Sequence, residues 1–191
     1  MTVEGRWAKP TLTGERVALR PMVGSDADAM WESVNDPEGR DLTVTTASFD
    51  RAAIDAWCSS RADQDERLDL TIVELATGEV AGEVVLNDFD ADADTANFRI
   101  GLRGPGWYGR RLGGEATRLI VAHALRPVAS GGIGLSAVTL TVLARNERAR
   151  RAYERAGFVV SGEYDEDGES WVEMVVRRNP DSVEGGHPES G

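Results

Sequence analysis

The sequence predicts an α+β fold in α/β/α layers, with a mixed, mostly antiparallel sheet of about 6–7 strands and about 4 helices. Three observations lead there. Apolar periodicity switches between two and roughly 3.6 residues at clear breaks marked by Gly, Pro and Asp. The resulting order is strand, two helices, three antiparallel strands, helix, strand, helix, two strands. Finally, 191 residues at 41% hydrophobic content make one core of ordinary size. One domain over 11–178 is therefore expected, with 1–10 and 179–191 as flexible tails.

Each element has a local reason. R-V-A-L-R over Arg16–Arg20 alternates apolar positions and ends at Pro21, as a first strand does. Ser25 is the expected N-cap of a helix reading D-A-D-A-M-W-E-S-V, whose early acids suit the positive end of the dipole. Ala53, Ile54, Trp57 and Cys58 stand at helical spacing between Asp50 and Arg61. From Leu68 the period becomes two: L-D-L-T-I-V-E-L, a turn A-T-G-E, then V-A-G-E-V-V-L-N-D, an antiparallel hairpin. D-F-D-A-D-A-D-T follows as a solvated turn; it lacks the glycine bend and terminal Glu of a calcium loop, so no metal is expected.

Thr95–Leu102 is the next strand, and it runs into R-G-P-G-W-Y-G-R-R-L-G-G. A helix starts at Leu112 to Gly114, with Leu119, Ile120, His123 and Ala124 as its apolar stripe up to Pro127. After the loop Ser130–Gly134 come the strand A-V-T-L-T-V-L, a helix over Asn146–Ala156 and Gly157 as its stop. F-V-V-S-G-E-Y and S-W-V-E-M-V-V-R close the chain around a D-E-D-G-E turn.

Composition narrows the function. With 33 acidic against 21 basic residues the formal charge is -12, which repels nucleic-acid phosphates and anionic lipid surfaces. Neither is an expected partner. The same charge attracts a cationic amine, although solubility alone also accounts for it. The single cysteine, Cys58, rules out an intrachain disulfide, a thiolate metal cluster and a CxxC pair. With no signal-like N-terminus and no apolar run near ~20 residues, a cytoplasmic location is expected. His123 reads as a core histidine and His187 lies in the tail, so a His-based hydrolase or zinc site has no support. Trp31, Trp57 and Trp107 read as packing residues or as the lining of an acceptor pocket.

The chemistry begins at the glycine-rich turn. Unpaired amides of a first helical turn converge on one point, and the dipole makes that point suited to a phosphate. Gly109, Gly113 and Gly114 permit close approach, while Arg110 and Arg111 add charge. Alone, such a turn is weak evidence. A second motif, N-E-R-A-R-R-A-Y-E-R-A-G-F, spans Asn146–Phe158. Together, Y-G-R-R-L-G-G-E-A-T and N-x-x-A-x-x-A-Y-E-x-x-G-F resemble the GNAT acetyltransferases. The opening T-G-E-R-V-A-L-R-P resembles in particular the branch similar to the ribosomal-protein N-terminal (Rim-type) acetyltransferases.

That resemblance implies a splay between two parallel strands, here Asn97–Leu102 and Val138–Leu143, into which acetyl-CoA inserts. Ile100, Gly101 and Leu102 would pair with pantetheine, and Tyr108, Gly109, Arg110, Arg111, Leu112, Gly113 and Gly114 would hold the pyrophosphate. Asn146 and Arg150 would also touch the cofactor. Tyr153, two helical turns after Asn146, would stand near the sulfur and protonate the departing thiolate. Tyr153 as a packed aromatic and Asn146 as an ordinary N-cap remain open alternatives.

Three positions depart from the family pattern, the first being Tyr108, which stands where Arg or Gln is usual. Arg111 stands where a glycine is usual, and Asn97 stands where many relatives carry a base-like Glu. Asn97 cannot take a proton, which leaves water held by Glu83, Asp88 or Glu163. The implied activity is acetyl transfer to a primary amine, a peptide N-terminus or a small cationic amine, by a monomer or homodimer without metal. A non-catalytic acyl-CoA-binding module and a transferase of a longer acyl group such as succinyl are the alternatives.

Overall fold

The computed structural model describes residues 7–179. The strands are β1 (Leu12–Thr13), β2 (Val17–Pro21), β3 (Leu68–Glu74), β4 (Val80–Asp90), β5 (Thr95–Leu102), β6 (Ala137–Leu143), β7 (Val159–Glu166) and β8 (Glu169–Arg177). The helices are α1 (Ala27–Asn35), α2 (Pro37–Leu42), α3 (Arg51–Ser60), α4 (Leu112–Leu125) and α5 (Glu147–Arg155). All strands join one sheet in the order β1-β2-β3-β4-β5-β6-β8-β7. Every pairing is antiparallel except β5 with β6.

Side-chain alternation divides the sheet into two faces. On one face Leu68, Leu70, Val84, Leu86, Phe98 and Val138 meet Leu112, Ala116 and Ile120 of α4, with Ala149 and Tyr153 of α5 packed alongside. On the other, Met22 meets Ala27 and Met30 of α1 and Ile54 and Cys58 of α3, flanked by Trp31 and Trp57. Ala96, Phe98, Ile100 and Leu102 of β5 belong to the first face, so Asn97, Arg99 and Gly101 point to the second.

The differences from the sequence reading are local. The eighth strand, β1, is two residues long and too short to show a period. The fifth helix, α2, buries none of its six residues and has no apolar stripe; its signals are Asp36, which caps Gly39 N, and Pro37 in the first turn. Ser25 does not cap α1. It lies exposed in a 3-10 turn, Gly24–Asp26, where the Asp26 carboxylate accepts from Val23 N. β4 also continues through the start of the acidic run to Asp90, whose Oδ1 accepts from Asp92 N and Ala93 N and so closes the turn. Trp7, assigned to the loose N-terminal end, is buried edge-on against Phe89. The remainder of both expected tails, 1–6 and 180–191 with His187, lies outside the described residues.

Glu115 locks α4 to the sheet edge. Its Oε1 accepts from Glu15 N and Arg16 N, at 2.5 and 2.9 Å, in the turn between β1 and β2. A Cβ at Gly14 would lie on that oxygen, so the turn needs a residue without one. Among the described residues no helix is long and apolar enough to cross a membrane.

Candidate active site

The parallel pair is short. Thr95, Ala96 and Asn97 pair with Ala137, Val138 and Thr139, and no later pair follows. Beyond that point β5 stays on β4 to Leu102 while β6 stays on β8 to Leu143. The facing edges of 98–102 and 140–143 are therefore unpaired with each other. This is the expected splay, and its open backbone edge suits an extended, amide-bearing ligand.

At the top of the splay the chain turns into α4. Gly109 has φ 72°, and Arg111, directly before the helix, has φ 66° and ψ 4°. The left-handed conformation costs an arginine about 1 kcal/mol that a glycine would not incur. A Cβ at Gly113 would touch Ile100 Cδ1 and Leu102 Cδ1 at 3.5 Å, so the first turn of α4 lies against β5. The first-turn amides have no intrahelical acceptors and stand at the positive end of the dipole.

The two arginines of the turn diverge. Arg110 gives Nη2 to both oxygens of buried Glu74, at 2.5 and 2.6 Å, and lies over the Trp107 ring, so it ties the turn to β3. Arg111 is exposed and has no ion-pair partner among the described residues. Only Arg111 is uncommitted. Replacing it with glycine is expected to raise stability by about 1 kcal/mol and to weaken CoA binding roughly tenfold. Thermal unfolding and calorimetric titration measure the two effects, and tighter binding would mean the guanidinium meets no phosphate.

Tyr108 is also committed. Its hydroxyl donates to Asp36 Oδ2 at 2.6 Å, and Arg148 of α5 stacks on its ring at 4.1 Å while pairing with Glu38. Burial and then the Asp36 carboxylate raise the phenol well above its ordinary range. Asp36 and Arg148 thus brace the turn from α2 and α5. Sequence reading missed both, because each is distant in the chain from the residue it holds.

Tyr153 sits beneath the splay. Its ring meets Phe98 edge-on at 6.0 Å and Phe158 at 5.9 Å, and among the described residues its hydroxyl has no hydrogen-bond partner. Burial pushes the phenol up to about 12. It holds its proton throughout the working pH range. Against a thiol of ~8.5 in water, proton transfer is uphill by roughly 5 kcal/mol, so it is not as easy as an unperturbed phenol suggests. Burial of the departing sulfur would raise a thiolate too, as burial in the other core raises Cys58 to about 11.

Asn146 is the N-cap of α5: its Oδ1 accepts from Ala149 N at 3.1 Å. Asn97 gives Nδ2 to Asn87 Oδ1 at 3.1 Å on the face opposite Tyr153. Arg150 gives Nη1 to Ala144 O and lines a cleft of about 330 Å³ with Glu163 and Trp171, against the β7–β8 hairpin. Asp88 is exposed and accepts from Asn87. Glu83 differs from these: its Oε2 is buried without a partner among the described residues. His123 is buried, but neither ring nitrogen has a partner among the described residues, and burial lowers its pKa. Trp31 and Trp57 pack on the α1–α3 core, and Trp107 packs on the other core.

The splay sets an open backbone edge beside the unpaired amides of a helix N-terminus. The model of the Acetyltransferase (GNAT) domain matches residues 16–159, and the chain belongs to that family. A GNAT-family acetyltransferase structure from Bacillus anthracis is similar at 12% identity and TM-score 0.75, covering 88% of this chain and 99% of that one. A chimeric spermidine N-acetyltransferase from Vibrio cholerae is similar at 14% identity and TM-score 0.69, covering 86% and 96%. A ribosomal-protein-serine acetyltransferase structure from Vibrio cholerae, so described provisionally, is similar at 13% identity and TM-score 0.69, covering 89% and 98%. At these identities the likeness concerns the fold. Among curated proteins none matches the sequence.

Proposed function

We propose that this chain transfers an acetyl group from acetyl-CoA to a primary amine by direct attack in a ternary complex. The observation that carries the reading is the splay of β5 from β6, open beside the amides of α4 and lined beneath by Tyr153. Ile100, Gly101 and Leu102 would hold the pantetheine along the β5 edge. The amides of Leu112, Gly113 and Gly114, with Gly109 and Arg111, would hold the pyrophosphate. Acetyl-CoA supplies a carbonyl activated as a thioester. Tyr153 keeps a proton at Oη for the leaving sulfur, and its ring excludes water with Phe98 and Phe158. Asn146 fixes the start of α5 and thereby the height of Tyr153. Tyr108 and Arg110 shape the turn through Asp36 and Glu74 rather than through the ligand.

The acceptor is a peptide N-terminus, as in the Rim-type branch, or a small cationic amine. Support comes from the motifs of Asn146–Phe158, from the net charge of -12, and from the spermidine and ribosomal-protein-serine acetyltransferases among the similar folds. In the sheet, β7 is the outer strand and exposes Val159 and Val160, which supports pairing of hairpins in a homodimer.

Calorimetric titration with CoA and acetyl-CoA, followed by thiol release over a panel of peptides and polyamines, tests the reading. Micromolar binding with amine-dependent thiol release is expected. Binding with release at background across the panel would leave a binding module. Absence of binding would remove acyl-CoA altogether.

A further inference from the structure

The transfer reaction needs a group that takes a proton from the amine, and neither Asn97 nor Tyr153 can serve. Glu83 lies on β4 directly opposite Gly101 of β5, in the stretch where β5 has already left β6. It faces the α1–α3 side, across the sheet from Tyr153. Gly101 leaves room at this point: a Cβ there would come to 3.9 Å from Glu83 Cγ and 3.4 Å from Ser33 Oγ. Ser33, on α1, donates to Leu102 O at 3.2 Å and fixes that edge of the opening.

Within this setting Glu83 Oε2 is buried and has no hydrogen-bond partner among the described residues. A buried carboxylate oxygen left unpaired costs about 1–3 kcal/mol. The surrounding charges do not satisfy it. Arg67 is taken up by Asp69 through two bonds of 2.7 Å at the start of β3. Arg99 on β5 and Arg61 after α3 act on Glu83 only through space, as does Asp69. Thr71 on β3, directly opposite Glu83, gives its hydroxyl to Asp26, and Cys58 on α3 and Ser33 on α1 are further polar neighbours.

We propose that Glu83 is the general base of the reaction, so that the amine approaches from the α1–α3 face while the acyl donor lies in the splay. The inference rests on the transfer reading above. The acceptor's ammonium gives a proton to the Glu83 carboxylate, and the nitrogen lone pair so freed forms the bond to the acyl carbon. The carbon–sulfur bond then breaks, its electron pair leaves on sulfur, and the thiolate takes the hydroxyl proton of Tyr153. The second proton of the nitrogen and the proton on Glu83 both pass to solvent while Tyr153 takes one back from solvent, so one proton is released per turnover. Burial pushes the Glu83 carboxyl up to about 7; Arg99 opposes this, Asp69 adds to it, and Arg67 and Arg61 oppose it. A carboxylate with that affinity can accept a proton near neutral pH where an ordinary one at ~4.3 cannot.

The test uses the full chain with ¹³C-carboxyl-labelled glutamate, together with Glu83→Gln and Gly101→Ala. In the wild type one carboxyl signal should titrate near neutrality and shift on saturation with acetyl-CoA, and Glu83→Gln should lack it. Thiol release is then followed with benzylamine, spermidine and a serine-initiated peptide. The ratio of wild-type to Glu83→Gln rates cancels the amine's own ionisation. It should lie near one well below the midpoint and rise to about 10²-fold above it, with CoA affinity changed by less than about twofold. Gly101→Ala, which narrows the opening without left-handed strain, should raise KM for the amine more than it lowers kcat. A Glu83 signal in the ordinary carboxylate range, one blind to acetyl-CoA, or a rate ratio flat with pH would overturn the assignment alone. If the wild type releases no thiol with any of the three amines, the transfer reading fails and takes the assignment with it.

Discussion

Replacing Tyr153 by phenylalanine is expected to lower kcat about 10²–10³-fold while the protein stays folded with nearly unchanged CoA affinity. The ring keeps its contacts with Phe98 and Phe158, so only the hydroxyl proton is removed. Because burial holds that proton up to about 12, the wild-type rate should show no loss from phenol ionisation below about pH 10. A hydroxyl that merely packs would leave kcat and the pH profile as they are, with at most a small shift in Tm. Steady-state kinetics at saturating acetyl-CoA, with Tm measured in parallel, separate the two. Donors that leave as more acidic thiols should rescue the variant in part, since they depend less on protonation.

The largest effect on stability is expected at Asp26, which no catalytic argument involves. It is 2% exposed, and its carboxylate receives both nitrogens of the Arg20 fork at 2.6 and 2.7 Å, Val23 N at 3.0 Å and the Thr71 hydroxyl at 2.7 Å. These four bonds join β2, the 3-10 turn before α1, and β3. Asp26→Ala leaves a guanidinium, an amide and a hydroxyl without their acceptor, and should cost about 3–5 kcal/mol in urea unfolding. A loss under about 1 kcal/mol would mean that water replaces the carboxylate.

The pH dependence has a definite sign. Burial alone would raise the Asp26 carboxyl, but the bonds from Arg20, Val23 and Thr71 outweigh it and hold the folded pKa below the ordinary value of 3.8. The folded state then binds fewer protons than the unfolded chain. Its contribution is complete above the unfolded pKa and declines as pH falls from there through the folded pKa. Wild type should lose stability below about pH 4 more steeply than Asp26→Ala does.

Local signals explain what was readable in advance. β5, β6, α4 and α5 carry strong apolar periods with firm stops, such as Gly157 at φ 97°, and their bounds came out within a residue or two. Asn146 as the cap of α5 was legible because a cap bonds only to residues three positions on. The same rule failed at Ser25. There the neighbouring Asp26 is drawn to Arg20 and Thr71, one of them 45 residues distant, and the turn forms around that pull. The short helix α2 was unread because its six residues, P-E-G-R-D-L, are too few and too polar to form an apolar stripe.

By itself the sequence determined the order of the elements, the turn before α4 and the two motifs that mark the family, because these depend on side-chain period, glycine spacing and contacts within one helical turn. Tertiary structure decided how the residues were used. It set Arg110 on Glu74, left Arg111 without an ion-pair partner among the described residues, gave the Tyr108 hydroxyl to Asp36, and placed half-buried Tyr153 and one buried oxygen of Glu83 on opposite faces of the sheet. Charge pairing and desolvation depend on distance in space, and neighbours 36 or 72 positions apart along the chain carry no local mark of one another.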